Sequence, residues 1–191
     1  MHQFALAILD RLRTYLPTLC PLLLAAVLWL PNHPYTGFLN SDAEIYALSA
    51  LHWLNPAAYA HDPFFMFGSQ SDFTIFPSLY GSLIELCGLA QAAKIVMVLA
   101  AILWIGAAWG LARCVFDDWL MRTYAVLSMA IYSLNYSPNQ ATFVLNENYV
   151  TARVIAIPLT VMAITFSMER KWILAVAMVM LSVAIHPLLG I

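Results

Sequence analysis

Several side chains in this sequence have the type and setting to do chemistry, among them Asp42, Glu147 and Arg153. Asp42 stands in Asn40-Ser41-Asp42-Ala43-Glu44, and Glu147 in Asn146-Glu147-Asn148-Tyr149, shortly before Arg153. A carboxylate can deprotonate or orient a hydroxyl, and a guanidinium can grip a phosphate through two N–H groups. His61-Asp62-Pro63 adds a histidine beside a carboxylate, able to ligate a metal or shuttle a proton, and His186-Pro187 adds a second histidine. Each has a plainer use. Ser41 and Glu44 fit an S-x-x-E capping box, and an acid in a first helical turn stabilises it by about 0.3–1 kcal/mol without any catalysis. Asp62-Pro63 starts turns, Asp72 suits a cap, Arg153 can snorkel to headgroups, and His186 can hydrogen-bond a neighbouring helix.

The elements that carry these residues are apolar. Of 191 residues 63% are hydrophobic and 9% charged, with a mean hydropathy of +0.80, whereas a soluble domain has about 25% charged residues. Runs near 15–31, 95–113, 119–137, 151–168 and 172–190 each approach the roughly 17–25 residues that cross a bilayer as a helix. The expected fold is all-α, a polytopic transmembrane helix bundle. Its long first connection, 32–93, is expected to hold juxtamembrane helices over about 42–54 and 74–90.

Charge orients the bundle. No lysine or arginine occurs between Arg13 and Lys94, yet that stretch holds Asp42, Glu44, Asp62, Asp72 and Glu85. Cytoplasmic loops collect Lys and Arg, so this connection is expected on the far side. If 74–90 lies along the membrane, Arg11, Arg13, Arg113, Arg122, Arg170 and Lys171 fall inside and only Lys94 and Arg153 outside. If 74–90 crosses instead, the bias vanishes. The expectation is therefore five spans with the N-terminus cytoplasmic and a second outer loop over about 138–150.

On the first juxtamembrane helix, Asp42, Tyr46, Ser49 and Trp53 make one stripe, at i, i+4, i+7 and i+11. Such a helix can lie on the membrane surface with Asp42 at its N-terminal end.

Other classes are excluded or weak. The net charge of −2 and the lack of a basic patch argue against a nucleic-acid partner. No G-x-G-x-x-G, Walker A, H-E-x-x-H or G-x-S-x-G sequence occurs. No cofactor signature is evident, and a divalent metal stays open. Cys20, Cys87 and Cys114 have no C-x-x-C spacing and read as small hydrophobes. The first apolar run lacks a small-x-small cleavage site and reads as an uncleaved span. The chain stops in an apolar segment, which suggests a portion of a larger bundle.

Asn40-Ser41-Asp42-Ala43-Glu44-Ile45-Tyr46, continuing to His61-Asp62-Pro63-Phe64-Phe65, resembles the first outer loop of the C-type (GT-C) integral-membrane glycosyltransferases, and 74–90 resembles their second juxtamembrane helix. The segment from Arg153 to His186-Pro187 is similar to a pattern in bacterial polytopic proteins sharing this loop style. The resemblance implies the N-terminal part of an enzyme that takes a sugar from a polyprenyl-phosphate carrier at the extracytoplasmic face. Asp42 would match the acidic residue of that loop and be the catalytic carboxylate. Arg153, His61, Asp62, Glu147 and His186 would bind substrate. The expected partners are membrane lipid and a polyprenyl-phosphate-linked sugar, and the expected location is a bacterial inner membrane. A transporter segment, an assembly scaffold or an inactive truncated fragment are the alternatives.

Overall fold

The computed structural model describes residues 2–40, 42–132 and 145–189, with side chains from Leu16 onward except Gln70 and Leu189. Among these residues the chain is all-α, with helices α1 (His2–Asn32), α2 (Ala43–Leu54), α3 (Pro63–Met66), α4 (Phe76–Cys87), α5 (Leu89–Val115), α6 (Trp119–Ile131), α7 (Arg153–Met168) and α8 (Trp172–Ile185). Short 3-10 turns occupy Pro56–Tyr59, Gln70–Phe73 and Pro187–Leu189.

Local chemistry sets most boundaries. The Asp118 carboxylate accepts from the amides of Leu120 and Met121 at 2.9 and 3.0 Å, satisfying two of the free donors at the start of α6. The Phe76 amide donates to the Thr74 hydroxyl at 2.9 Å, and Pro77 opens α4 where no amide donor is needed. Gly88, at φ 79°, ends α4 and launches α5 at once. That conformation is easy only for a residue without Cβ. The expected helix to residue 90 therefore stops at Cys87, and the expected span from 95 begins at Leu89. His186 precedes a proline and is held extended (φ −148°, ψ 96°), so α8 ends at Ile185 rather than reaching 190. Residues 133–144, which include the end of the expected 119–137 span and the start of the second outer loop, lie outside the described residues, as do Ser41 and Gly190.

Among the described residues, one helix is long and apolar enough to cross a membrane: α5, with 27 residues. Leu16–Asn32, α7 and α8 are shorter apolar helices. At 1.5 Å per residue, α7 (16 residues) and α8 (14 residues) reach about 24 and 21 Å.

α5 stands at the centre, packed on α1, α4, α6 and α7, while α8 packs on α7 and α2 on α4. α5 and α7 approach closely because Gly110 leaves room for Thr165, whose Cγ2 would lie 3.3 Å from a Cβ there. α7 and α8 are joined by buried hydroxyls: Ser182 Oγ donates to the Ala156 carbonyl and contacts Thr160 Oγ1, both at 3.0 Å.

Long-range bonds gather one end of the molecule. His33 Nε2 donates to the Ala130 carbonyl at 3.1 Å, the Thr36 amide to the Asn148 carbonyl at 2.9 Å, and the Ile75 amide to the Ala184 carbonyl at 2.9 Å. The tips of α1, α6 and α8, the α2–α4 pair and the start of α7 thus meet there. Beneath them lies an apolar cluster that includes Tyr46, Ala50, Tyr80, Ala93, Val150 and Val154. At the other end, Arg113, Glu169 and Lys171 share a groove between α5 and α7.

Candidate functional site

Arg153, the first residue of α7, joins two carboxylates from distant parts of the chain. Its Nη2 donates to Asp42 Oδ2 at 2.6 Å, across 111 residues. Its Nε donates to Glu147 Oε1 at 2.8 Å, with Nη2 2.7 Å from the same oxygen. The second Glu147 oxygen accepts from the Thr151 hydroxyl. The side chains differ sharply in exposure: 1% for Glu147, 16% for Arg153 and 44% for Asp42. Glu147 is the buried anchor and Asp42 the solvent-facing member.

The Asp42 backbone caps α2, but its side chain makes no capping bond. The carboxylate goes to Arg153 instead. The α2 stripe turns inward: Tyr46 and Ser49 are buried, and only Trp53 is exposed. Tyr46 meets Phe76 edge-to-face at 5.5 Å, and Ser49 returns its proton to the Ile45 carbonyl at 2.8 Å. α2 is therefore not a helix lying alone on a surface. α4 covers one of its faces, and Gly81 permits the contact, because a Cβ there would come within 2.7 Å of the Trp53 ring.

Beside the cluster lies a cavity of about 230 Å³, lined by Ile45, Tyr46, Phe73, Pro77, His186 and Leu188 among others. Its walls are almost wholly apolar. Two buried polar atoms on its lining residues, Tyr46 Oη and His186 Nδ1, have no hydrogen-bond partner. Leaving such a group unpaired costs about 1–3 kcal/mol, so each calls for a physical explanation. Burial pushes the Tyr46 phenol up to about 12, so the hydroxyl keeps its proton at neutral pH. His186 lies within electrostatic reach of Arg153.

Of the six residues singled out in the sequence, the structure brings Asp42, Glu147 and Arg153 into contact and sets His186 on the adjoining cavity. His61 and Asp62 go elsewhere. Asp62 Oδ1 accepts from the Phe64 amide at 2.9 Å and caps α3, while His61 is exposed. The neighbouring Asp72 closes a capping box with Ser69. Two members of the site escaped the sequence reading. Thr151 carries only an i+4 spacing from Glu147, and Tyr46 was visible only as part of the stripe below Asp42.

With two carboxylates and one guanidinium, the cluster carries a formal charge of −1. A phosphate approaching Arg153 would meet both acids, so Arg153 is engaged rather than free to grip an anion. The arrangement suits a hydroxyl-bearing ligand, because carboxylates accept from hydroxyls. Among the described residues, no group of three or more His, Cys, Asp or Glu is placed to hold a metal ion.

Comparison with protein-family models, curated proteins and solved structures finds no match.

Proposed function

We propose that this chain is a multi-pass membrane protein, the N-terminal part of a glycosyltransferase-like bundle. Its site at the extracytoplasmic face would use Asp42 to orient the acceptor hydroxyl during sugar transfer from a polyprenyl-phosphate carrier. The observation that carries the reading is the Arg153 bridge, which fixes a half-exposed Asp42 beside an apolar cavity at one end of the helices. Charge supports the orientation: Arg113, Arg122, Arg170 and Lys171 belong to the opposite end, the pattern of a cytoplasmic face. α7 and α8, shorter than the roughly 30 Å hydrocarbon layer, would be accommodated by local thinning or by flanking residues. In this role Arg153 positions Asp42 rather than seizing phosphate.

The test is Asp42→Asn in the full-length protein, assayed for sugar transfer to membrane acceptors. Loss of a positioned carboxylate should lower transfer by about 10²–10⁴-fold. Undiminished transfer removes Asp42 from the role.

One observation favours a second reading. Glu147 is more deeply buried than catalysis at an open face requires, and the Arg153 that it holds staples α2 to α7 through Asp42. In a non-catalytic transporter segment or assembly scaffold the same three residues would be purely architectural. Such a protein would show no sugar transfer to lose.

A further inference from the structure

We propose that the groove between α5 and α7, at the end opposite the Arg153 cluster, binds one anionic phospholipid. Its phosphate would sit at Arg113 and Lys171, with one acyl chain running over Gly106. The inference rests on the multi-pass membrane reading but not on sugar transfer.

The groove changes character along its length. Arg113, Glu169 and Lys171 line it toward the helix ends, and Gly106, Ala107 and Met162 line it deeper. Gly106, Gly110 and Arg113 follow at i, i+4 and i+7, one face of α5. At 1.5 Å per residue that run is about 10 Å long, within one half of a hydrocarbon layer roughly 30 Å thick. A charged mouth above an apolar channel of leaflet depth is the outline of a lipid entering head outward. The channel is open at its deep end, since a Cβ on Gly106 would meet only Met162 Cε, at 3.8 Å. Gly110, by contrast, is used for packing, with Thr165 Cγ2 closing to 3.3 Å.

The charge is right for an anion. Lys171 Nζ lies 2.6 Å from Glu169 Oε2 and 5.9 Å from the centre of the Phe166 ring, itself a wall of the groove. Arg113 is exposed and makes no hydrogen bond or ion pair among the described residues. Its charge nevertheless reaches Glu169. Two cations and one acid leave the groove with a formal charge of +1, and the cation without a partner is the one offered to phosphate. Nearby acids do not cancel it. Asp118 accepts from the Leu120 and Met121 amides, and neither Asp117 nor Asp118 lines the groove. The carbonyl ends of α5 and α7 are offset by the amide ends of α6 and α8, which start directly after them.

The depth is right as well. Trp119 and Trp172, the first residues of α6 and α8, are 53% and 62% exposed at this same end. Tryptophan gathers at the headgroup level, so the charged mouth stands where phosphates are and Gly106 lies beneath it in hydrocarbon. Basic pockets between helices on the cytoplasmic side take phosphate heads in this way. At about 220 Å³ the groove holds the phosphate and the start of one chain, being smaller than the roughly 300 Å³ and upward that encloses a whole drug-sized ligand.

The experiment uses the full chain in lipid nanodiscs and two photoreactive probes, phosphatidylglycerol and phosphatidylcholine, each with a diazirine near the start of one acyl chain. Labelling of peptides covering 106–113 and 162–171 is compared with labelling of the exposed α1 face at Leu23, Val27 and Leu30. Relative to that face, phosphatidylglycerol should label the groove about fivefold more than phosphatidylcholine, the worth of one uncompensated basic residue near the membrane surface. Arg113→Gln should abolish the preference, and Glu169→Gln should raise it by up to about fivefold more. Gly106→Leu should reduce groove labelling by both lipids alike, because it blocks the chain and leaves the charges. Arg122→Gln should leave the preference intact, since Arg122 donates to the Phe116 carbonyl at 2.7 Å and stands outside the groove. Equal labelling by the two lipids overturns the proposal. So does an equal effect of Arg122→Gln and Arg113→Gln, which would mean a diffuse surface potential, or competition by glycerol 3-phosphate, which would mean a site for free phosphate. An unlabelled groove beside a labelled α1 face overturns it too, as expected if further protein covers the groove. Absence of labelling on α1 as well would sink the membrane reading itself. A preserved preference with sugar transfer indifferent to Asp42→Asn would sink the transferase reading alone.

Discussion

Replacing Glu147 should damage the protein far more than replacing Asp42, although both pair with the same guanidinium. Glu147 is 1% exposed at its side chain and serves Arg153 Nε, Arg153 Nη2 and the Thr151 hydroxyl. Glu147→Ala leaves a guanidinium, itself only 16% exposed, facing one partly solvated acid. Removing one partner of a buried pair costs about 3–5 kcal/mol, because the other charge stays behind without compensation. Asp42 is 44% exposed, so solvent screens its pair. Asp42→Ala should cost no more than about 1 kcal/mol. The assay is unfolding of the chain in mild detergent, followed by loss of helicity. A double variant sharpens the test. Removing the cation as well, in Glu147→Ala/Arg153→Met, should recover about 1–2 kcal/mol relative to Glu147→Ala, since the uncompensated charge causes most of the damage. Equal destabilisation by Glu147→Ala and Asp42→Ala would refute the assignment of Glu147 as anchor. A double variant worse than Glu147→Ala would refute the electrostatic origin of the loss.

Two further outcomes follow from the packing around this end. Gly81→Ala should destabilise the α2–α4 contact by about 1–3 kcal/mol, since its Cβ would lie 2.7 Å from Trp53 Cε3 and 3.1 Å from the Ala50 carbonyl; adding Trp53→Ala should restore part of the loss in the same unfolding assay. Acid should loosen the joint between α1 and α6. Burial lowers the His33 pKa from its ordinary 6.5, so the unfolded chain takes up the proton first; the His33 contribution is full above 6.5 and is lost as pH falls through the depressed folded value. The melting temperature of the unmodified chain should therefore fall between about pH 7.5 and 5 more steeply than that of His33→Gln, whose profile lacks this titration.

The helices were legible because their signals are local. Apolar runs announce α1, α5, α7 and α8, Asp118 marks the start of α6 within a residue of the expected 119, and the Glu169-Arg170-Lys171 break marks the start of α8. Boundaries failed where a single residue outweighed hydropathy. The apolar run placed the span from about 95, yet Gly88 starts α5 earlier, with Ala92 and Ala93 buried. Pro187 cuts α8 short of the apolar run that contains it.

The site was legible as residues but not as a constellation. Asp42 and Arg153 each drew notice alone, as an acid in a base-free loop and a cation at the edge of an apolar run. Nothing in a linear pattern indicates that two residues 111 positions apart fold into contact. That contact changes the chemistry of both. Read separately, Arg153 is a free cation and a natural phosphate grip. In the fold its charge is met by Asp42 and Glu147, and the phosphate role loses its electrostatic basis. His61-Asp62 fails in the opposite way. The dipeptide looks like a proton shuttle, but Pro63 places Asp62 at the start of α3, where the nearest unsatisfied donor is the Phe64 amide. Within one connection, then, the acid bound by its own turn is removed from chemistry. The acid whose helix leaves it uncapped is drawn into a charged cluster beside a cavity, and that freedom from local backbone marks Asp42 as the carboxylate to test.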